Sequence, residues 1–401
     1  MTNETTAGRP ASLRNDGRLA AEREKPPAGK TRKKFRLFSV RAGMDLPLLF
    51  LVLTLVVIGL VMMFSASYAN AAYYDHDSYY FIKKQLVFAA VGVALMFVLS
   101  YFDYHNFHKL ALPVMLISFA LLGLVLVLPA KSGVHRWITL GPFGQFQPSE
   151  LAKFAVILMF AHLISLNFSR MDKFRSGVLP YLLILAPICF LLYKEPHVSA
   201  TVIVLVLGAL MLFIGGVKLR WFAAVFGAIG CGMVYLVAFS HKLNYTGSRL
   251  SGWLDPLSTW QTRNSLYAIG SGGLLGVGLG QSRQKYLWLP EPENDFVFSV
   301  VCEELGFIGA LIIITLFVML VWRGVTVSLR AQDKFGMLLG VGLVLQVGLQ
   351  AILNIAVVTN TIPNTGISLP FFSYGGTSLV ILLAEMGIVL SISRTSSAEK
   401  T

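Results

Sequence analysis

Ten stretches of mostly apolar sequence, each near the length of a bilayer crossing, leave this chain of 401 residues few folds to choose from. A helical crossing of the hydrocarbon core takes roughly 20 apolar residues. In lipid every backbone N–H and C=O must be satisfied internally, which a helix does by itself. The stretches begin near Leu46, Gln85, Leu110, Pro148, Gly177, Val198, Trp221, Phe296, Gly336 and Gly375. With 55% hydrophobic and only 13% charged residues, the chain is more apolar than a soluble domain of this size. The expected fold class is an all-α polytopic membrane protein with ten transmembrane helices. The first stretch follows a long polar segment and runs too long for a cleaved signal peptide, so it reads as a retained span.

Cytoplasmic flanks accumulate Lys and Arg, and these residues set the orientation. The first 41 residues carry Arg9, Arg14, Arg18, Arg23, Lys25, Lys30, Arg32, Lys33, Lys34, Arg36 and Arg41 in a polar background. That composition predicts a disordered cytoplasmic tail over 1–44. Ten spans over 45–394 then bring both termini inside, with a short cytoplasmic tail at 395–401. The loops at 170–175, 218–220 and 323–334 become cytoplasmic and are basic, whereas the loop at 359–374, expected outside, contains no Lys or Arg. The net charge of +13 comes from basic residues that cluster in the tail and at the cytoplasmic boundaries, which points to anionic lipid rather than nucleic acid. Cys189, Cys231 and Cys302 lie in or beside apolar stretches, with neither disulfide nor metal-ligand spacing.

One long extracellular loop, 241–294, separates the seventh and eighth helices. Trp253, Trp260, Tyr267, Tyr286 and Trp288 favour the membrane interface and predict amphipathic or re-entrant pieces on the outer face. Its glycines, from Gly270 to Gly280, follow no strand and make no dinucleotide cradle. Close packing of a re-entrant turn accounts for them, and no organic cofactor is expected.

The loop ends at Asp295, immediately before the eighth apolar stretch. A carboxylate held between loop and hydrocarbon can take a proton from a substrate lying in lipid, which makes Asp295 the candidate catalytic residue. At the start of the fourth stretch, Glu150 and Lys153 share a helix face. They read either as a structural ion pair or as a phosphate-facing lysine with its orienting carboxylate, since ionisable groups within a span are costly and usually functional. Arg136 and Trp137 either grip a pyrophosphate or sugar or anchor their loop at the interface. Glu303 and Glu304 lie about 12 Å along a helix from Asp295 and not directly beneath it. A carboxylate pair within this one helix is therefore disfavoured. Gln346, Gln350 and Asn354 form a polar stripe best explained by hydrogen bonds between helices. Glu385 belongs to the same group, open between structure and substrate contact.

Four segments carry a resemblance over 45–394. They are Arg136-Trp137-Ile138 running into Gln147-Pro148-Ser149-Glu150; Arg249-Leu250-Ser251-Gly252-Trp253-Leu254-Asp255-Pro256; Leu289-Pro290-Glu291 through Asp295-Phe296 and Glu303-Glu304-Leu305-Gly306; and 363–376 with Leu369-Pro370-Phe371-Phe372-Ser373-Tyr374-Gly375-Gly376. In this order they resemble the SEDS family, the FtsW, RodA and SpoVE group of peptidoglycan glycosyltransferases, and within it the division and sporulation branch. The resemblance implies polymerisation of lipid II on the outer face of the cytoplasmic membrane. Asp295 would be the base that deprotonates the attacking sugar 4-hydroxyl, with inversion and release of undecaprenyl pyrophosphate. It also implies a class B penicillin-binding protein as partner, among other division or sporulation membrane proteins.

A leaving pyrophosphate needs cationic stabilisation, which nominates Lys153, Arg136 and Arg249. Trp137, Glu150, Glu303 and Ser373 complete the expected substrate-binding set. A divalent cation, Mg²⁺ or Mn²⁺, is a possible helper, although no dedicated metal motif is visible. Two positions depart from the family pattern: Asn294 stands where Thr is common, and Pro196-His197-Val198-Ser199 where Pro-Asp-Leu-Gly is common. No acidic role is assigned at His197. A lipid II flippase or other transporter is the competing reading, because ten helices with buried polar groups also suit alternating access, but no inverted repeat is apparent. A scaffold that only recruits an enzyme would leave Asp295, Lys153 and Arg136 unexplained.

Overall fold

The computed structural model describes residues 43–128, 136–139, 141, 144–224, 227 and 253–397. Seven helices in it are long and apolar enough to cross a membrane. They are α1 (Leu46–Tyr74), α2 (Tyr80–Tyr101), α3 (Phe107–Val127), α4 (Pro148–Asn167), α8 (Val297–Leu329), α9 (Lys334–Val358) and α10 (Gly376–Ser397). Two more apolar helices, α5 (Leu179–Lys194) and α6 (Val198–Ile214), have 16 and 17 residues. They fall short of the roughly 20 residues of a full crossing, because Glu195, Pro196 and His197 turn the chain between them. The expected seventh span, from Trp221, falls largely outside the described residues. The helix α7 (Trp260–Ser271) lies in the long loop, and a small hairpin of β1 (Ile138–Thr139) and β2 (Gln145–Phe146) precedes α4.

Polar contacts mark two opposite ends of the bundle. At one end Asp45 caps α1, accepting from the Leu48 N–H at 2.9 Å, and pairs with Arg323 near the end of α8 at 2.7 Å. Asp333 caps α9 and accepts from the Tyr104 hydroxyl at 2.7 Å. At the other end the Gln85 side chain on α2 donates to the carbonyl of Ser373, and Ser378 on α10 donates to Glu150 on α4 at 3.2 Å. Between these ends the core is apolar, with polar links that lipid cannot replace. The Gln346 amide on α9 donates to both Glu385 oxygens on α10, at 3.0 and 3.2 Å, which gives Gln346 the helix-bridging role expected of the stripe, whereas Asn354 bonds the loop carbonyls of Asp295 and Ile367.

The glycine-rich segment closes onto a break in α8. Gly306 lies at φ 68°, interrupting the helix, and a Cβ there would sit 2.3 Å from the Gly276 nitrogen. Only glycine allows this approach at low cost. Val277 and Gly278 donate to the carbonyls of Glu303 and Glu304, and Phe307 and Ile308 donate to those of Gly273 and Leu274. Non-helical backbone hydrogen-bonded to protein in this way is satisfied without water, as expected of a close-packed re-entrant turn, while Leu274, Leu275 and Leu279 stay exposed. The first described part of the loop lies on the 360–364 segment, where Trp253 and Asn360 exchange side-chain-to-carbonyl hydrogen bonds at 3.2 Å and the Asn364 amide donates to Gln261 at 2.9 Å. Trp260 stacks on Trp288 at 6.1 Å. Residues 241–252 of the loop lie outside the described residues.

Candidate active site

Asp295 is placed by three elements. The Asn354 amide on α9 donates to the Asp295 carbonyl at 2.9 Å and also to that of Ile367. Ser373 donates to the carbonyl of Asn294 at 2.6 Å and accepts from the Leu369 N–H, while the Tyr374 N–H donates to the Glu293 carbonyl at 2.8 Å. Ser373, expected to touch substrate, thus ties residues 293–294 to the 369–374 segment. The carboxylate of Asp295 lies over Gly366, where a Cβ would meet its Oδ2 at 2.8 Å. Gly366 adopts φ +69°, and Ser199 at the start of α6 donates to the carbonyls of Thr365 and Gly366. Asp295, residues 365–366 and the first turn of α6 therefore form one junction.

Gly366 is a sharp probe of this placement. Gly366→Ala adds backbone strain of about 1–2 kcal/mol and pushes against the Asp295 carboxylate. A displacement near 1 Å at a reacting group costs about 100-fold in rate. We expect that loss in strand synthesis with the folded protein retained, measured against its melting temperature in detergent. Unchanged synthesis would remove Asp295 from the site.

The cationic residues gather at the same end of the bundle. Lys153 pairs with Glu150 at 2.8 Å, and its side chain is 1% exposed. Arg136 donates to the carbonyls of Glu195 and Pro196 in the turn between α5 and α6, and half-buried Trp137 follows it. His197 lies in the field of both Arg136 and Lys153. Arg249 lies outside the described residues. Glu303 sits elsewhere: its carboxylate accepts from the Ser282 hydroxyl and from the N–H groups of Arg283 and Gln284, fixing the loop before Asp295. Glu304 pairs with buried Lys285 at 2.8 Å. Sequence reasoning passed over Gly366 and Glu195. The signal for Glu195 was three residues, Glu-Pro-His, between two apolar stretches, too short a link to escape burial.

Burial pushes the Glu195 carboxyl up to about 8, against the opposing pull of Arg136. Burial, with Arg136 and Lys153 adding to it, holds the His197 imidazole down to about 3. The Glu195 contribution to stability is full below 4.5 and is lost as pH rises through about 8. That of His197 is present above 6.5 and lost as pH falls towards about 3. The two oppose each other below pH 6.5. Above it Glu195 acts with Glu293, which burial raises to about 7. Thermal stability in detergent is expected to fall between pH 6.5 and 8, and Glu195→Gln to flatten the fall. A pH curve untouched by that substitution would contradict the assignment.

The matches to known proteins agree with this architecture. The model of the FtsW, RodA and SpoVE family, described as cell cycle protein, matches residues 46–398. Stage V sporulation protein E of Bacillus subtilis is 41% identical over 88% of this chain and 97% of its own length. A probable peptidoglycan glycosyltransferase FtsW of a Geobacter species is 39% identical over 88% of this chain and 97% of its own. Among solved structures, a chain from a study of polymerization and crosslinking by a peptidoglycan synthase complex superposes with a TM-score of 0.73 at 28% identity, covering 88% of this chain and 98% of that one. The rod shape determining protein RodA of Thermus thermophilus gives 0.64 at 29%, covering 88% and 97%. A helical membrane fold with a polar junction at one end, matched over this length, places the chain in the FtsW, RodA and SpoVE family. It is a multi-pass protein of the bacterial cytoplasmic membrane.

Proposed function

We propose that this chain is a peptidoglycan glycosyltransferase that polymerises lipid II into glycan strands at the outer face of the membrane, in cell division or sporulation. Its topology is ten spans with both termini cytoplasmic. Asp295 takes the proton of the acceptor sugar 4-hydroxyl while that oxygen attacks the anomeric carbon of the lipid-linked strand. The bond from that carbon to the pyrophosphate oxygen breaks with inversion, and undecaprenyl pyrophosphate leaves with the electron pair. Lys153 and Arg136, with Arg249, offset the charge developing on the leaving group. Glu150 holds the lysine, and Trp137 grips the sugar or pyrophosphate beside Arg136. Glu303 and Ser373 act on substrate through the loops they hold in place.

The observation that carries this reading is the Asp295 carboxylate against Gly366, at a junction shared with the turn that Arg136 grips. Among the described residues no three His, Cys, Asp or Glu side chains are grouped to hold a metal. Glu150 is already paired with Lys153. These donors do not fit a protein-built Mg²⁺ or Mn²⁺ cage. The superposition on a peptidoglycan synthase complex supports a class B penicillin-binding protein as partner, and the family relatives support division or sporulation membrane proteins as further partners. The test is strand formation from lipid II by the purified protein with its transpeptidase partner in detergent. Detergent abolishes sidedness, so a flippase yields no polymer; lipid II left intact while the same protein moves it across vesicles would overturn the reading.

A further inference from the structure

The turn between α5 and α6 holds polar atoms that the reaction above does not use. Glu195 is fully buried, and among the described residues neither of its carboxyl oxygens has a hydrogen-bond partner. His197, two residues on, is 7% exposed, and its Nδ1 is likewise without a partner. Across the junction the Thr365 hydroxyl is also unpartnered, beside the glycine that meets Asp295. Burying such a group without a partner costs free energy. Natural structures pair more than nine in ten buried polar groups, so a cluster of orphans asks for an explanation.

Packing does not supply one, since apolar residues would fill the same turn at lower cost. The local backbone does not need these side chains either. The Arg136 guanidinium holds the turn through the carbonyls of Glu195 and Pro196, and the His197 side chain makes no capping bond to α6. What the cluster offers is hydrogen bonding in the plane of a carboxyl, a ring nitrogen and a hydroxyl. Those groups complement a ring that carries several hydroxyls and an amide.

We propose that Glu195 and His197, with Thr365, form a saccharide subsite that recognises a sugar ring of the lipid-linked substrate beside Asp295. The subsite rests on the glycosyltransferase reading for its ligand. Sugar hydroxyl and acetamido groups supply the missing hydrogen bonds, and their binding recovers the free energy that the apo fold forgoes. Entry requires the 195–197 turn to shift; the turn is bonded to α5 through the N–H groups of Glu195 and His197 and to Thr201 through the His197 carbonyl, and the Arg136 guanidinium clamps it from outside these two helices. Arg136 grips the turn, so sugar recognition and the cation facing the pyrophosphate move together.

The test is melting of the full-length protein in detergent with two probes, the undecaprenyl-pyrophosphoryl disaccharide and undecaprenyl pyrophosphate without sugar. Wild type is expected to melt higher with the sugar-bearing probe than with the bare pyrophosphate. Glu195→Gln and His197→Leu are expected to melt at or above wild type without ligand, to lose that sugar-dependent difference, and to keep the response to bare pyrophosphate. A purely structural role predicts the opposite: both variants melt lower without ligand and keep the difference. That outcome, or a sugar-dependent shift absent from wild type, overturns the subsite. Strand synthesis measured alongside separates the two claims. Polymer from wild type with an unchanged sugar shift in both variants leaves the reaction standing and removes the subsite. A lost shift in the variants without polymer from wild type keeps the subsite and removes the reaction.

Discussion

Lys285→Met is expected to destabilise the folded protein by about 3–5 kcal/mol, the usual cost of stranding one member of a buried ion pair. The Lys285 ammonium lies 2.8 Å from Glu304 Oε1 and 3.0 Å from the Ser65 hydroxyl, with the two charged side chains 2% and 0% exposed. Methionine fills the volume but leaves the Glu304 carboxylate, among the described residues, with Ser65 and the N–H groups of Gly280 and Ser282. These neutral donors do not offset its charge where water is excluded. Lys285→Met combined with Glu304→Gln removes the charge and keeps an acceptor for those N–H groups, so most of the loss is expected to return. Additive losses in the double variant, or a single variant as stable as wild type, would contradict the account. The measurement is thermal or denaturant unfolding in detergent, read as a double-mutant cycle. Strand synthesis should follow stability here, because Lys285 pins the segment leading into Asp295.

Most of the helices could be read from the sequence, since bilayer thickness and backbone saturation leave an apolar stretch little freedom. The expected starts at Pro148, Phe296, Gly336 and Gly375 fall within two residues of the observed helices at Pro148, Val297, Lys334 and Gly376. The break at Gly306 could not be read, because it exists through pairing with Gly276, which lies far away in the chain. The site divided along the same line. Asp295, Lys153 and Arg136 announce themselves as charged groups where charge is expensive. The partners of Glu303 and Ser373 are backbone groups of distant loops, and a residue's own neighbours in sequence do not reveal them. Glu195 and Gly366 escaped notice for a related reason. One looks like an ordinary loop acid until its burial is known, and the other matters only through the carboxylate above it.

Asp295→Asn is expected to lower strand synthesis by about 10²–10⁴-fold, the contribution typical of a positioned general base. Asparagine has nearly the shape of aspartate and still fits against Gly366. The Asn354 amide binds the backbone carbonyl of residue 295, so that anchor survives the change. What is lost is the capacity to accept a proton from the sugar hydroxyl. Binding of lipid II should change little, so the loss belongs in kcat and not in KM. The decisive comparison is glycan strand length and yield from lipid II in detergent with the transpeptidase partner present, for wild type and Asp295→Asn at matched melting temperature. The account predicts a polymer ladder from wild type and none above background from the variant. Equal ladders from both would contradict it.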